Sequence, residues 1–341
     1  MLDDLKLIHE RDVQDALGIA EKQSSQLTQD FQLSGFNPKG IENIVLAGMG
    51  GSALAALIAQ VWPGFKVPFE VVRNYSLPHY VSGKTLFVAS SYSGNTEETT
   101  SALADAEDRL AQIAVITSGG KLAESAKSKN YPLLVLPGGL QPRHAVFYSL
   151  KAFLVLTDAV GLTIKKADEL SSKAEFLSSA VQNWLPTVPT TKNQAKQIAQ
   201  ECIGRSIVIY GGPLFSPAAY KWKISFNENA KQVAWYNQYS EFNHNEFIGW
   251  SRQPVDKPYT VIDLRSNLEH PQIQKRFVIS AKLLSGLRPD PIVVKPEGKD
   301  LLEQLLWVIA LGDFVTLYTA LLNNINPTPV ELIEKLKSEL A

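Results

Sequence analysis

Short hydroxyl side chains crowd one stretch of this sequence, Ser90-Ser91-Tyr92-Ser93-Gly94-Asn95-Thr96. An apolar run, Leu86 to Ala89, leads into it, and Thr96 to Thr99 opens a helical pattern that continues through Leu103 and Ala106. Strand, turn and helix start together make an anion site. At a helix start about four backbone N–H groups lack intrahelical partners, and the macrodipole places roughly half a positive charge there. Ser91, Ser93 and Thr96 add donors, Gly94 lets the backbone come close, and the ligand that fits is a phosphate monoester. An ordinary βα loop with a Ser/Thr N-cap would use the same residue types. A second turn, Gly48-Met49-Gly50-Gly51-Ser52, also follows an apolar run. With Ala53 it approaches the glycine pattern of dinucleotide-binding proteins. The acidic ribose ligand of that pattern is replaced by Arg73-Asn74, which leaves an NADP site as the alternative. The preferred reading is that Gly50 and Gly51 let a small ligand approach the backbone and Ser52 adds one more hydroxyl.

These turns need a sheet to hold them. Short apolar runs at Ile44 to Ala47, Phe69 to Arg73, Leu86 to Ala89, Ile113 to Thr117 and Leu133 to Leu136 have the length and neighbours of buried parallel strands, with helical patterns between several of them. Alternating strands and helices imply an α/β fold with a doubly wound, flavodoxin-like parallel sheet, whose ligands bind at the carboxyl ends of the strands. The pattern restarts further on, with strands expected at Ile207 to Tyr210, Gln232 to Tyr236, Tyr259 to Leu264 and Ile292 to Val294. Ile207 to Tyr210 runs into Gly211-Gly212-Pro213, and Ser216 leads a helix from Pro217 to about Asn227, as Ile44 to Ala56 does in the first half. The chain therefore reads as a duplicated unit with a ligand site between the copies. Residues 1–39 form an N-terminal helical segment, 40–150 the first subdomain, 151–190 a helical connection and 191–341 the second subdomain with a C-terminal helix. After its third strand the second copy offers only Asp263, Arg265 and Ser266, so a single phosphate belongs to the first copy.

Composition bounds the partners. The chain has 341 residues, 45% hydrophobic and 20% charged, with a net charge of -1, and nothing in that balance favours nucleic acid or an anionic membrane. Its single cysteine, Cys202, excludes an internal disulfide framework, and no Cys/His cluster has metal-ligand spacing, so neither metal nor cofactor is expected. Asp3, Asp4, Glu10 and Asp12 make the first residues unlike an export signal, and a cytoplasmic location is expected. Leu301 to Leu322 is long and apolar enough to span a bilayer, but it carries Glu303, Gln304 and Asp313 and is expected to be a buried helix.

The two turns and the duplication together resemble the sugar isomerase (SIS) proteins. More narrowly, Gln141-Pro142-Arg143, Asn227-Glu228-Asn229-Ala230-Lys231, Glu241-Phe242-Asn243-His244-Asn245-Glu246 and Pro327-Thr328-Pro329-Val330 resemble the bifunctional phosphoglucose/phosphomannose isomerases of archaea and bacteria, in the family's order. Aldose-ketose isomerisation moves a proton between C1 and C2 of an opened sugar. It needs a base over both carbons, a cation for the enediolate and an acid/base group to open the ring. The resemblance implies that Glu228 is the proton shuttle, Arg143 the enediolate cation and His244 the ring opener, contributed from the neighbouring subunit of a homodimer. It also implies Thr328 near C2, where it is linked to accepting both gluco and manno epimers, and Lys335 as an active-site lysine. The substrates so implied are glucose, fructose and mannose 6-phosphates, in glycolysis. Taken as residues alone, Glu228, His244 and Lys335 are ordinary surface groups, Arg143 a helix-start arginine and Thr328 an N-cap. His144 competes for an acid/base role, and His144, Val146 and Phe147 depart from the small residues the family carries after Pro142-Arg143. Two other functions remain open: a non-catalytic sugar-phosphate sensor, and an isomerase of an amino sugar phosphate or other sugar phosphate.

Overall fold

The computed structural model describes residues 1–33, 35–252 and 258–340. The chain forms two compact units, Gln23–Glu175, and Phe176–Ala341 together with Met1–Lys22.

In the first unit five parallel strands, β1 (Asn43–Ala47), β2 (Phe69–Val72), β3 (Thr85–Ser90), β4 (Gln112–Thr117) and β5 (Leu133–Val135), pair in the order β2-β1-β3-β4-β5. Every residue of β3 is buried, which is why the central strands read as continuous apolar runs and not as alternating ones. Helices Glu97–Asp108 and Gly120–Ser128 cover one face, where Leu103 and Leu122 join Val45, Phe87 and Val115 in a single core. Phe153 of helix Val146–Ala159 stacks on Phe69 of β2, with ring centroids 5.2 Å apart. Strand order reverses at β1 and β3, and their register pairs Ala47 with Ala89, so the glycine turn and the serine turn leave the sheet side by side. The helix expected from Arg143 begins only at Val146, after a 3₁₀ turn, Pro142–His144.

The second unit repeats the plan with four parallel strands, β6 (Ser206–Gly211), β7 (Ala234–Gln238), β8 (Tyr259–Leu264) and β9 (Ile292–Val294), in the order β7-β6-β8-β9. All nine expected strands are present, and the duplicated α/β reading of the fold holds. Leu301–Leu322 is the one helix among the described residues long and apolar enough to cross a membrane, and 94% of its most apolar window is buried inside the protein. Such a helix, apolar all round, belongs in a core. The first residues join this unit: Arg11 Nη1 donates to the Leu321 carbonyl at 2.5 Å, and Lys196 Nζ to Asp3 Oδ1 at 3.1 Å.

Candidate functional site

The serine turn has the organisation of an anion cradle. Thr96 stands at the N-cap position of helix Glu97–Asp108, but its side chain makes no capping bond. Its hydroxyl lies 2.7 Å from that of Ser91, which lies 3.5 Å from that of Ser93. Ser91 Oγ also accepts from the Gly94 amide at 3.1 Å, and Ser93 Oγ from the Asn95 amide at 3.3 Å. The three hydroxyls therefore converge on one another beside a helix start that the Thr96 side chain does not cap, so Thr96 is not an ordinary N-cap here. Gly94 has φ 69°, and a β-carbon there would fall 1.8 Å from the Gly119 carbonyl oxygen, so only glycine closes the loop.

Ser52 is buried and accepts from the Tyr92 amide at 3.0 Å, tying the glycine turn to the serine turn. Its hydroxyl retains a proton to donate. The glycine turn itself opens helix Gly50–Val61, and Gly51 lies so close to the next element that a β-carbon on it would meet the Pro142 carbonyl oxygen at 2.6 Å and the Arg143 amide nitrogen at 3.1 Å. That approach carries Arg143 to the glycine turn. Its side chain is buried, 1% exposed, with Nη1 donating to Gln141 Oε1 at 3.4 Å. The same 3₁₀ turn is held from behind by Gln26, whose Nε2 donates to the His144 carbonyl at 2.6 Å. His144, Val146 and Phe147, the departure noted in the sequence, are all buried. Gly50, Gly51, Ser52, Ser91, Ser93, Thr96 and Arg143 thus come together within one unit.

In the second unit Glu228 is the last residue of helix Ser216–Glu228 and is half-buried. That helix is locked in rotation against helix Leu301–Leu322. Lys221 pairs with Asp313 in the interior, Ser225 Oγ donates to Asp313 Oδ1 at 3.1 Å, Trp222 Nε1 to the Val308 carbonyl at 2.7 Å, and Asn229 Nδ2 to Thr316 Oγ1 at 2.9 Å. Glu228 and Thr328 are brought together through Lys231, whose Nζ donates to the Glu228 carbonyl at 2.8 Å and to the Pro327 carbonyl at 2.9 Å. His244 ends the 3₁₀ turn Glu241–His244 and is exposed. Its neighbours anchor it: Phe242 is buried, and Asn243 donates to Ser280 Oγ at 2.8 Å and accepts from Arg276 Nη1 at 3.1 Å. Lys335 lies on helix Glu331–Leu340, none of whose residues is buried.

The corresponding turns of the second copy are filled from within. Glu269 Oε1 accepts from the Leu214 and Phe215 amides, at 2.9 and 3.2 Å, at the start of helix Ser216–Glu228. After β8, Asp263 Oδ2 accepts from Arg265 Nη2 at 2.6 Å, and Ser266 Oγ donates to Gln304 Oε1 at 2.6 Å. Burial pushes the Glu269 carboxyl up to about 7, although the two amides oppose it. Lys231 and Glu269 had no role in the sequence reading. A lysine just past a helix end is a known signal for capping carbonyls, whereas nothing local marks Glu269. Among the described residues no group of His, Cys, Asp or Glu is arranged to hold a metal ion.

Comparison with known proteins gives the same picture. Residues 191–340 match the bacterial phospho-glucose isomerase C-terminal SIS domain. The chain is 37% identical over 305 residues to a bifunctional phosphoglucose/phosphomannose isomerase of Caldicellulosiruptor bescii, covering 88% of this chain and 90% of that protein. It is 35% identical over 218 residues to a D-glucosamine-6-phosphate 4-epimerase of Sulfolobus acidocaldarius, covering 63% of this chain and 66% of that one. Among solved structures, a glucose-6-phosphate isomerase like protein from Thermus thermophilus superposes with a TM-score of 0.67 at 18% identity, over 99% of this chain and 98% of the other. At that identity the likeness speaks for the fold.

Proposed function

The chain belongs to the bifunctional phosphoglucose/phosphomannose isomerase family, and from that premise we propose that it interconverts glucose 6-phosphate, fructose 6-phosphate and mannose 6-phosphate. The observation that carries the reading is the helix start that the Thr96 side chain leaves uncapped beside the hydroxyls of Ser91, Ser93 and Thr96, opposed to a second copy whose corresponding turn after β8 pairs Asp263 with Arg265 and Ser266 with Gln304. In this reading the phosphate rests on those hydroxyls, on Ser52 and on the backbone at Gly50 and Gly51. His244 of a second copy in a homodimer moves the proton that opens the ring.

Glu228 then takes the proton from C2 of the open aldose. The electron pair of that C–H bond becomes the C1=C2 bond, and the carbonyl oxygen on C1 takes the negative charge, which the Arg143 guanidinium offsets. A preorganised cation of this kind contributes about 3 kcal/mol to a transition state. Glu228 returns the proton to C1, the C2 hydroxyl proton passes to O1, and the ketose results with no oxidant or reductant consumed. Thr328 stands by C2, where the two aldose epimers differ, and Lys335 serves the same site. Dianionic sugar phosphates are retained in the cytoplasm, where this reading puts the chain, in glycolysis.

Glu228→Gln is expected to fold, to bind fructose 6-phosphate and to lose isomerisation on the order of 10³-fold in a coupled assay. Near-normal turnover of that variant would overturn the reading. The similarity to an amino sugar phosphate epimerase favours a second reading, in which the substrate carries an amino group. A panel of hexose and hexosamine 6-phosphates separates the two, and inactivity on all of them together with tight binding would leave a sensor.

A further inference from the structure

Lys231 follows helix Ser216–Glu228 by three residues and has φ 51°, a left-handed conformation that costs a residue with a β-carbon about 1 kcal/mol. From there its side chain turns back and meets carbonyl groups of two separate chain segments. On one side lie the Glu228 and Asn229 carbonyls, at 2.8 and 3.4 Å from Nζ. On the other lie the Asn326 and Pro327 carbonyls, at 3.2 and 2.9 Å. An ammonium carries three protons, so four acceptors share them, and the charge sits where the helix macrodipole is negative. Closing the helix would need only the first pair of contacts. The second pair reaches across to the residues immediately before Thr328.

We propose that Lys231 is a positioning residue that fixes the Glu228 carboxylate relative to Thr328, and through that spacing sets how evenly the two epimers at C2 are turned over. The inference rests on Glu228 being the proton shuttle with Thr328 beside C2. Lys231 touches neither the sugar nor the reacting atoms; it acts through the two segments that do. Gluco and manno substrates differ only in which side of C2 bears the hydrogen. A shift of the base against the hydroxyl next to that carbon therefore slows the two unequally, whereas a general loosening of the fold slows them alike.

The test is Lys231→Met, which keeps the apolar stem and removes every donor, beside Lys231→Arg, which keeps the charge. kcat and KM are measured for glucose 6-phosphate and mannose 6-phosphate, with the thermal midpoint of each protein. For Lys231→Met the expected result is a kcat lower by between about tenfold and 10²-fold, a KM little changed because other residues hold the phosphate, and a manno to gluco ratio of kcat moved from the wild-type value. Lys231→Arg is expected to recover part of both. Equal losses on the two epimers, or wild-type kcat, would overturn the positioning role while leaving a dead Glu228→Gln, and so the base, intact. Near-normal turnover in Glu228→Gln would remove both together. Should Lys231→Met fail to fold, Lys231→Gln retains two donors without charge and is held to the same criterion.

Discussion

Glu269 shows how far a single side chain departs from its sequence. A carboxyl of 3% exposure is held by two amides, yet burial outweighs them and raises it from 4.5 to about 7. The folded state therefore prefers the protonated acid. Its contribution to stability is complete below the unfolded value of 4.5 and is lost as the pH climbs through about 7. Glu269→Gln keeps an oxygen facing the amides and resembles the protonated acid. It is expected to unfold like the parent near pH 4.5 and to be more stable at pH 8 by up to about 3 kcal/mol, read from urea midpoints at the two values; an equal difference at both would exclude the account. The serine turn was legible because its hydroxyls lie within one turn and act locally. Glu269 and Lys231 were not, because their partners, Leu214 with Phe215 and Asn326 with Pro327, are remote in sequence.

Among the elements, helices Ser216–Glu228 and Leu301–Leu322 form the pair that positions Glu228. Asp313 is one of the polar residues, with Glu303 and Gln304, that argued against a membrane span, and it meets Lys221 in a pair that is almost wholly buried. Removing one partner strands the other in a dry interior. Asp313→Ala is expected to cost about 3–5 kcal/mol, and Asp313→Leu combined with Lys221→Met markedly less. Denaturant unfolding of the two variants checks this, and equal costs would show that the pair is not coupled. The strands were easy to place, since parallel strands covered on both faces are unbroken apolar runs. The turn before helix Val146–Ala159 was harder to place, because Pro142 marks a start without saying whether a 3₁₀ turn or the helix itself begins there.

For the molecule as a whole, the helical reading of the N-terminal segment 1–39 gives no address for Met1–Lys22. The contacts of Asp3 and Arg11 assign it to the unit that holds the second sheet. A homodimer in which His244 serves its partner makes one quantitative expectation. Mixing Glu228→Gln with His244→Ala subunits after unfolding and refolding should restore about a quarter of wild-type sites, since half the dimers are hybrid and each hybrid has one intact pair. Activity no greater than the sum of the separate variants would mean that His244 works in its own chain. The filled turn of the second copy has a last consequence. Two halves of one plan are not equivalent: in the second, the turn that opens helix Ser216–Glu228 has been plugged by its own acid. Doubling this framework repeated its strands and helices without repeating the residues that line its turns.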